Sequence, residues 1–127
     1  MIAGAKNSKL YTEWLDYIGD DDAKDAFRYM IGVAAALKSY ICHPQVKGVV
    51  RDFRFIDRRN EQPFAFIVNQ SSLLFYFRLP AVRSGEFSFE VLQAVFPSAA
   101  INRKGEWKVR IERIDDVQRL FQLMRAQ

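Results

Sequence analysis

The sequence predicts a two-layer α+β domain, with helices on one face of a mostly antiparallel sheet. Two observations carry this. Between Val50 and Pro80, large apolar residues alternate with polar or basic ones along three short segments: Phe53 and Phe55, then Phe64, Phe66 and Val68, then Leu73, Phe75, Phe77 and Leu79. A period of two sets each group on one side of a strand. On either side of this ribbon, apolar residues recur at the three-to-four spacing of amphipathic helices. The length of 127 residues suits a single domain, 1–127, with one core.

Residues 8–18 read as a short helix with Tyr11, Trp14, Leu15 and Ile18 on one stripe, closed by Gly19 as a C-cap. Asp20, Asp21 and Asp22 open a second helix, where carboxylates accept free N–H groups and meet the positive end of the dipole. It is expected to reach Tyr40 or Ile41 and to bury Ala23, Ala26, Phe27, Met30, Ile31, Ala34, Leu37 and Ile41, with Pro44 ending it. After a loop around Gly48, the three strands are joined by short turns at 57–63 and 69–72, which makes them antiparallel neighbours. A loop is expected at 83–85. Ser88 then caps a helix over 89–96, bounded by Pro97. Residues 99–102 and 106–112 form a hairpin about Arg103-Lys104-Gly105, with Trp107, Val109 and Ile111 inward and Lys108, Arg110 and Glu112 outward. Asp115 is expected to cap the last helix, whose Val117, Leu120, Phe121 and Met124 make a helical stripe. The predicted order is two N-terminal helices, a three-stranded antiparallel meander, a helix, a β-hairpin and a C-terminal helix. The second sheet face carries Arg54, Ile56, Ala65, Ile67, Leu74, Tyr76 and Arg78. That mixture implies a face partly covered or one that binds something.

Half the residues are hydrophobic, which excludes a largely disordered chain, and eleven are Phe, so the core is thick with rings. Cys42 is the only cysteine and His43 the only histidine. No intramolecular disulfide or Cys-rich zinc site can form, which fits a reducing compartment; no metal and no cofactor is expected. The segment MIAGAKNSKLYTEW lacks the apolar run of a signal peptide, and the longest apolar run, 30–37, is too short to span a bilayer. The expectation is a soluble, bacterial-type cytoplasmic protein without a membrane partner.

Three constellations bear on chemistry. Cys42-His43 is a poor nucleophile–base pair, because neighbours on an extended chain point to opposite sides; the histidine is expected at a helix end, near the last carbonyls. Glu106-Trp107-Lys108 has the E-x-K form of half a metal-dependent nuclease signature, with Glu106 and Lys108 on one face; Asp52 and Asp57 are the acids available to complete it. The third constellation is basic. The formal charge is +4; residues 1–42 hold five Lys/Arg against six Asp/Glu, and 43–127 hold fourteen against nine. The sheet-forming part is therefore the basic part, with Lys47, Arg51, Arg54, Arg58 and Arg59 by the first strand, Arg78 and Arg83 after the third, and Arg103, Lys104, Lys108, Arg110 and Arg113 about the last hairpin.

Residues 64–124 resemble the C-terminal two-thirds of the MmcQ/YjbR-like group of small α+β domains. The resemblance rests on PFAFIVNQSSLLFYFRL, a helix, VFPSAAINRKGEWKVRI and then IDDVQRLFQLM. It implies a non-enzymatic DNA-binding or interaction role and supplies no functional residue. The helix pair within residues 1–45 has no counterpart in it.

Together these features favour a non-enzymatic binding module whose basic sheet and hairpin surface meets an anionic partner, most simply nucleic acid, through Arg54, Arg58, Arg59, Arg78, Arg103, Lys104 and Arg110. The alternative is a protein-binding inhibitor with one tight partner, such as a toxin-neutralising immunity protein or an anti-defence factor, the same guanidiniums gripping acidic side chains. A metal-dependent nuclease using Glu106 and Lys108 is the third reading.

Overall fold

A computed structural model describes Ile2 and residues 8–125, with backbone alone at positions 46 and 47. Residues 1 and 3–7 of the N-terminal stretch read for leader character, and the Lys47 side chain, lie outside the described residues. The elements run α1 (Ser8–Tyr17), α2 (Asp21–Ala36), β1 (Ile41–Lys47), β2 (Val50–Ile56), β3 (Phe64–Val68), β4 (Leu73–Phe77), α3 (Leu79–Arg83), α4 (Phe89–Val95), β5 (Ala100–Ile101), β6 (Trp107–Ile111) and α5 (Ile114–Arg125). The pairings between these strands are all antiparallel, in the order β1-β2-β3-β4-β6-β5, and Ile2 adds an isolated parallel bridge to Cys42 of β1. The α+β class is as the two periodicities predict. No helix among the described residues is long and apolar enough to cross a membrane.

The phenylalanine face is the core. Phe53, Phe55, Phe64, Phe66, Phe75 and Phe77 are all buried, together with Trp107, Val109 and Ile111 of β6. Phe53 and Phe66 stack at 4.7 Å between ring centroids, 20° from parallel. Phe27 of α2 meets Phe66 edge-on at 6.4 Å, and Phe121 of α5 meets Phe75 at 6.2 Å. Trp14 and Ile18 from the first helical segment, and Ala23, Ala26, Met30 and Ala34 from α2, complete the cover. The helices thus share one side of the sheet and leave the other side open.

Several boundaries differ from expectation, each for a local reason. The second helix stops at Ala36, not at 40 or 41; Leu37 is extended (φ −71°, ψ 123°) and donates its N–H to the Ala34 carbonyl. From Ile41 the chain pairs with β2, Ile41 opposite Ile56 and Pro44 opposite Phe53, so Ile41 is 54% exposed and not part of a buried helical face. The meander is therefore four strands long. Pro44 is tolerated because β1 is the outermost strand, where a missing N–H can face away from the partner. Gly19 is not a left-handed cap. Its N–H donates to the Gln70 carbonyl at 2.8 Å, which ties the end of the first helix to the β3–β4 turn. Leu79 leaves the strand and opens α3, with Pro80 in the first turn, and Ser84 lies at the helix's C-terminal end rather than in an open loop. Ser88 caps α4 as expected, accepting from the Val91 N–H. At α5 it is Asp116, not Asp115, that reaches back, its Oδ2 accepting from the Glu112 and Arg113 N–H groups at 2.9 and 3.2 Å. Asp115 points to solvent.

Candidate functional site

Alternation decides what the open face presents. Side by side across β1, β2, β3, β4 and β6 lie His43, Arg54, Ala65, Tyr76 and Lys108; the neighbouring row is Gln45, Asp52, Ile67, Leu74 and Arg110. Rows on one face are about 7 Å apart along the strands. Ala65, the shortest side chain in its row, leaves a hollow of about 490 Å³ walled by Asp52, Arg54, Tyr76, Arg78, Asn102, Arg103, Lys104 and Glu106, with Val50 and Ile67 on its apolar side.

Two turns rise at one end of this hollow. Phe55 pairs with Phe64, Phe64 with Phe77, and Phe77 with Trp107, so the β2–β3 and β5–β6 connections sit at the same end of the sheet. Each is built around one side-chain oxygen that captures two backbone N–H groups. Asp57 Oδ1 accepts from Arg59 and Glu61, both at 2.9 Å, and Asn102 Oδ1 accepts from Lys104 and Glu106, both at 3.0 Å. Asn60 (φ 63°) and Gly105 (φ 88°) take the left-handed positions that let these turns close. The first turn holds out Arg58 and Arg59; the second holds out Arg103 and Lys104. A second, adjoining hollow of about 440 Å³ runs between them past Gln62, Arg78, Lys104 and Glu106.

Within the main hollow the polar groups are linked in a chain. Arg54 Nε donates to Asp52 Oδ2 at 2.7 Å, and Arg54 Nη1 donates to Gln62 Oε1 at 2.6 Å. The same Gln62 oxygen accepts from Arg78 Nη1 at 3.1 Å. Arg78 Nε donates to Glu106 Oε2 at 3.3 Å, and Asn102 Nδ2 donates to Glu106 Oε1 at 3.0 Å. One amide oxygen facing two guanidiniums fixes which way the Gln62 amide is turned. Both arginines are held in place, and the Nη2 group of each has no partner among the described residues. Tyr76 sits over Ala65 with its hydroxyl pKa raised, first by burial and then by the nearby Glu106 and Asp52 carboxylates. The phenol therefore stays protonated at neutral pH.

The seven cations expected to act together are only partly one group. Arg54, Arg78, Arg103 and Lys104 line the hollow; Arg58 and Arg59 stand on the neighbouring turn and line neither hollow of this face, and Arg59 instead borders a hollow with Tyr40, Phe64 and Phe87 on the helix side. Arg110 shares the face but stands toward the far end, where its Nη1 donates to Ser72 Oγ at 3.2 Å. Arg54 and Arg78 are also ion-paired with the chain's own Asp52 and Glu106, and on the β2–β3 turn Asp57 and Glu61 balance Arg58 and Arg59, so the surplus positive charge resides on Arg103 and Lys104. Of the wider basic set, Arg51 lies on the helix side of the sheet, its guanidinium carbon 3.4 Å from the centroid of the Tyr17 ring.

The other two constellations are placed as follows. Cys42 is buried on the core face of β1, 4.0 Å from the Ala34 carbonyl, whereas His43 sits on the open face opposite Arg54; they do not meet, and His43 belongs to a strand rather than a helix end. Burial pushes the Cys42 thiol up to about 11. A thiol whose folded value lies above its unfolded one adds stability that is complete below the ordinary thiol range and fades as pH rises toward about 11. Native protein at pH 8 is accordingly expected to resist iodoacetamide and to become labelled only in denaturant; fast labelling of the folded chain would contradict this placement. Glu106 and Lys108 do share the open face, as the alternation predicts, but Glu106 is occupied by Arg78 and Asn102. No three His, Cys, Asp or Glu side chains among the described residues come together as a cation site.

No protein-family model, curated protein sequence or solved structure matches the chain.

Proposed function

We propose that this chain is a non-enzymatic binding module whose open sheet face takes nucleic acid. The observation that supports it is the convergence of Arg54, Arg78, Arg103 and Lys104 on one hollow, with Arg58 and Arg59 on the adjacent turn. Four cations against the two carboxylates Asp52 and Glu106 leave that hollow positive. Guanidinium groups with unused N–H donors suit phosphate oxygens. The resemblance of residues 64–124 to MmcQ/YjbR-like domains implies a non-enzymatic DNA-binding or interaction role, which is compatible with this reading.

The test is fluorescence anisotropy with labelled oligonucleotides across a salt series. Each phosphate neutralised contributes a slope of about −0.7 to −0.9 in log affinity against log salt. With three or four contacts, the slope is expected at about −2 to −3.6. Reversing the two exposed turn charges, Arg103→Glu with Lys104→Glu, should weaken binding more than about tenfold and flatten that slope by about 1.5. Equal binding by the wild type and the reversed variant would reject this face. Failure to bind any nucleic acid, with retention of an acidic protein through the same charges, would replace the proposal by the inhibitor reading.

A further inference from the structure

The open face is concave where duplex recognition calls for a projection. Proteins that read duplex DNA push a helix or a two-stranded ribbon into a groove. Here the cationic groups surround a depression instead, and its volume of about 490 Å³ falls within the range of about 300–1,000 Å³ of sites that enclose a small molecule. At its floor is Ala65, and beside Ala65 stands Tyr76, the one Phe, Tyr or Trp that the strands place on this face. The core rings of these strands pack against one another or against helix rings; Tyr76 faces the hollow. Around it are fixed donors, the Nη2 groups of Arg54 and Arg78, and one open acceptor, Asp52 Oδ1, whose sister oxygen is taken by Arg54.

Resting on the nucleic-acid reading above, we infer that the hollow over Ala65 is a seat for one unstacked base of a single strand. The base packs its flat side on Tyr76, its edge reaches Asp52 and the two arginines, and the flanking phosphates run over Arg103 and Lys104 into the second hollow beside Arg78. The two hollows share Arg78, Lys104 and Glu106, so the track for the backbone is continuous. Stacking is tolerant of base identity, because every base has a π-face. A single strand is therefore preferred over a duplex of the same sequence, whose bases are already stacked and paired.

The experiment compares a short oligothymidylate, its duplex with oligoadenylate, and inorganic polyphosphate, each titrated with the wild type, Tyr76→Phe and Tyr76→Ala. The wild type and Tyr76→Phe are expected to favour the single strand. Tyr76→Ala should lose about tenfold on the single strand and keep its affinity for polyphosphate. A fluorescent base analogue in the strand gives an independent readout on unmodified protein, since its emission should be quenched when it stacks on the ring. Equal affinity for single strand, duplex and polyphosphate, an unquenched analogue, or a Tyr76→Ala variant that folds and binds like the wild type would each overturn the base seat while leaving the basic face standing. Absence of binding to every nucleic acid tried would overturn both.

Discussion

Phe66→Ala is expected to remove about 3–5 kcal/mol of folding stability, the usual cost of deleting a fully buried aromatic ring. Phe66 is on β3 in the middle of the sheet and has no exposed surface. Its ring is stacked on Phe53, and Phe27 of α2 meets it edge-on, so truncation opens a void that strand and helix must both leave unfilled. Domains of this size are stable by about 5–15 kcal/mol in total, so the loss is a large share of what there is. Chemical denaturation should show the midpoint falling with an unchanged slope, and the melting temperature should drop by about 10–20 °C. The control is the next residue. Ile67 points to the open face and is half-buried, so Ile67→Ala is expected to cost about 1 kcal/mol or less. Similar costs at the two positions would mean that the helices do not lie on the Phe66 side.

The second large effect concerns binding. Ala65→Trp should fill the hollow and abolish recognition of a single strand, with a loss of about fiftyfold or more, at a stability cost of about 1–3 kcal/mol, since Ala65 is only 4% exposed. Ala65 lies between Arg54 and Tyr76 in the cross-strand row, on the side away from the core. A larger side chain there enters the space between the two turns and displaces no core atom. Aromatic residues are favoured on strands, which offsets part of any crowding. Anisotropy titration with an oligonucleotide, paired with a thermal melt, separates the two quantities. Undiminished binding by a normally folded Ala65→Trp would place the contact elsewhere, on the turns alone.

Much of this architecture is written locally in the sequence. The alternation of Phe53, Phe55, Phe64, Phe66, Phe75 and Phe77 identifies three strands and their inner faces, because a period of two has no competing reading over so many rings. The stripes of the first, second and last helices are recognisable for the same kind of reason. Strand β1 is not: ICHPQVK has no clean alternation, and its proline reads as a helix stop. Its pairing with β2 is a tertiary gain that no local pattern announces. In the site, alternation places Arg54 with Asp52 and Arg78 with Tyr76 on one face, so the ion pair within β2 could be anticipated from a spacing of two. Gln62 could not. Its position depends on a turn shaped by the Asp57 carboxylate, and its partners lie on β2 and at the N-cap of α3. The meeting of the two basic turns requires β6 to lie beside β4, with β5 outside it, an order set by how the last hairpin packs rather than by any residue within it.

Pro44 carries a consequence for how molecules of this chain behave together. A sheet with so many rings has two rims at which a strand from another copy could add and begin a fibre. One rim is β5, only two residues long. At the other, Ile2 already bridges in parallel to Cys42, and Pro44 interrupts the outer strand where a visiting backbone would look for a continuous run of partners. The same residue that conceals this strand from a reader of the sequence thus removes a backbone donor from the rim, which disfavours edge-to-edge addition there.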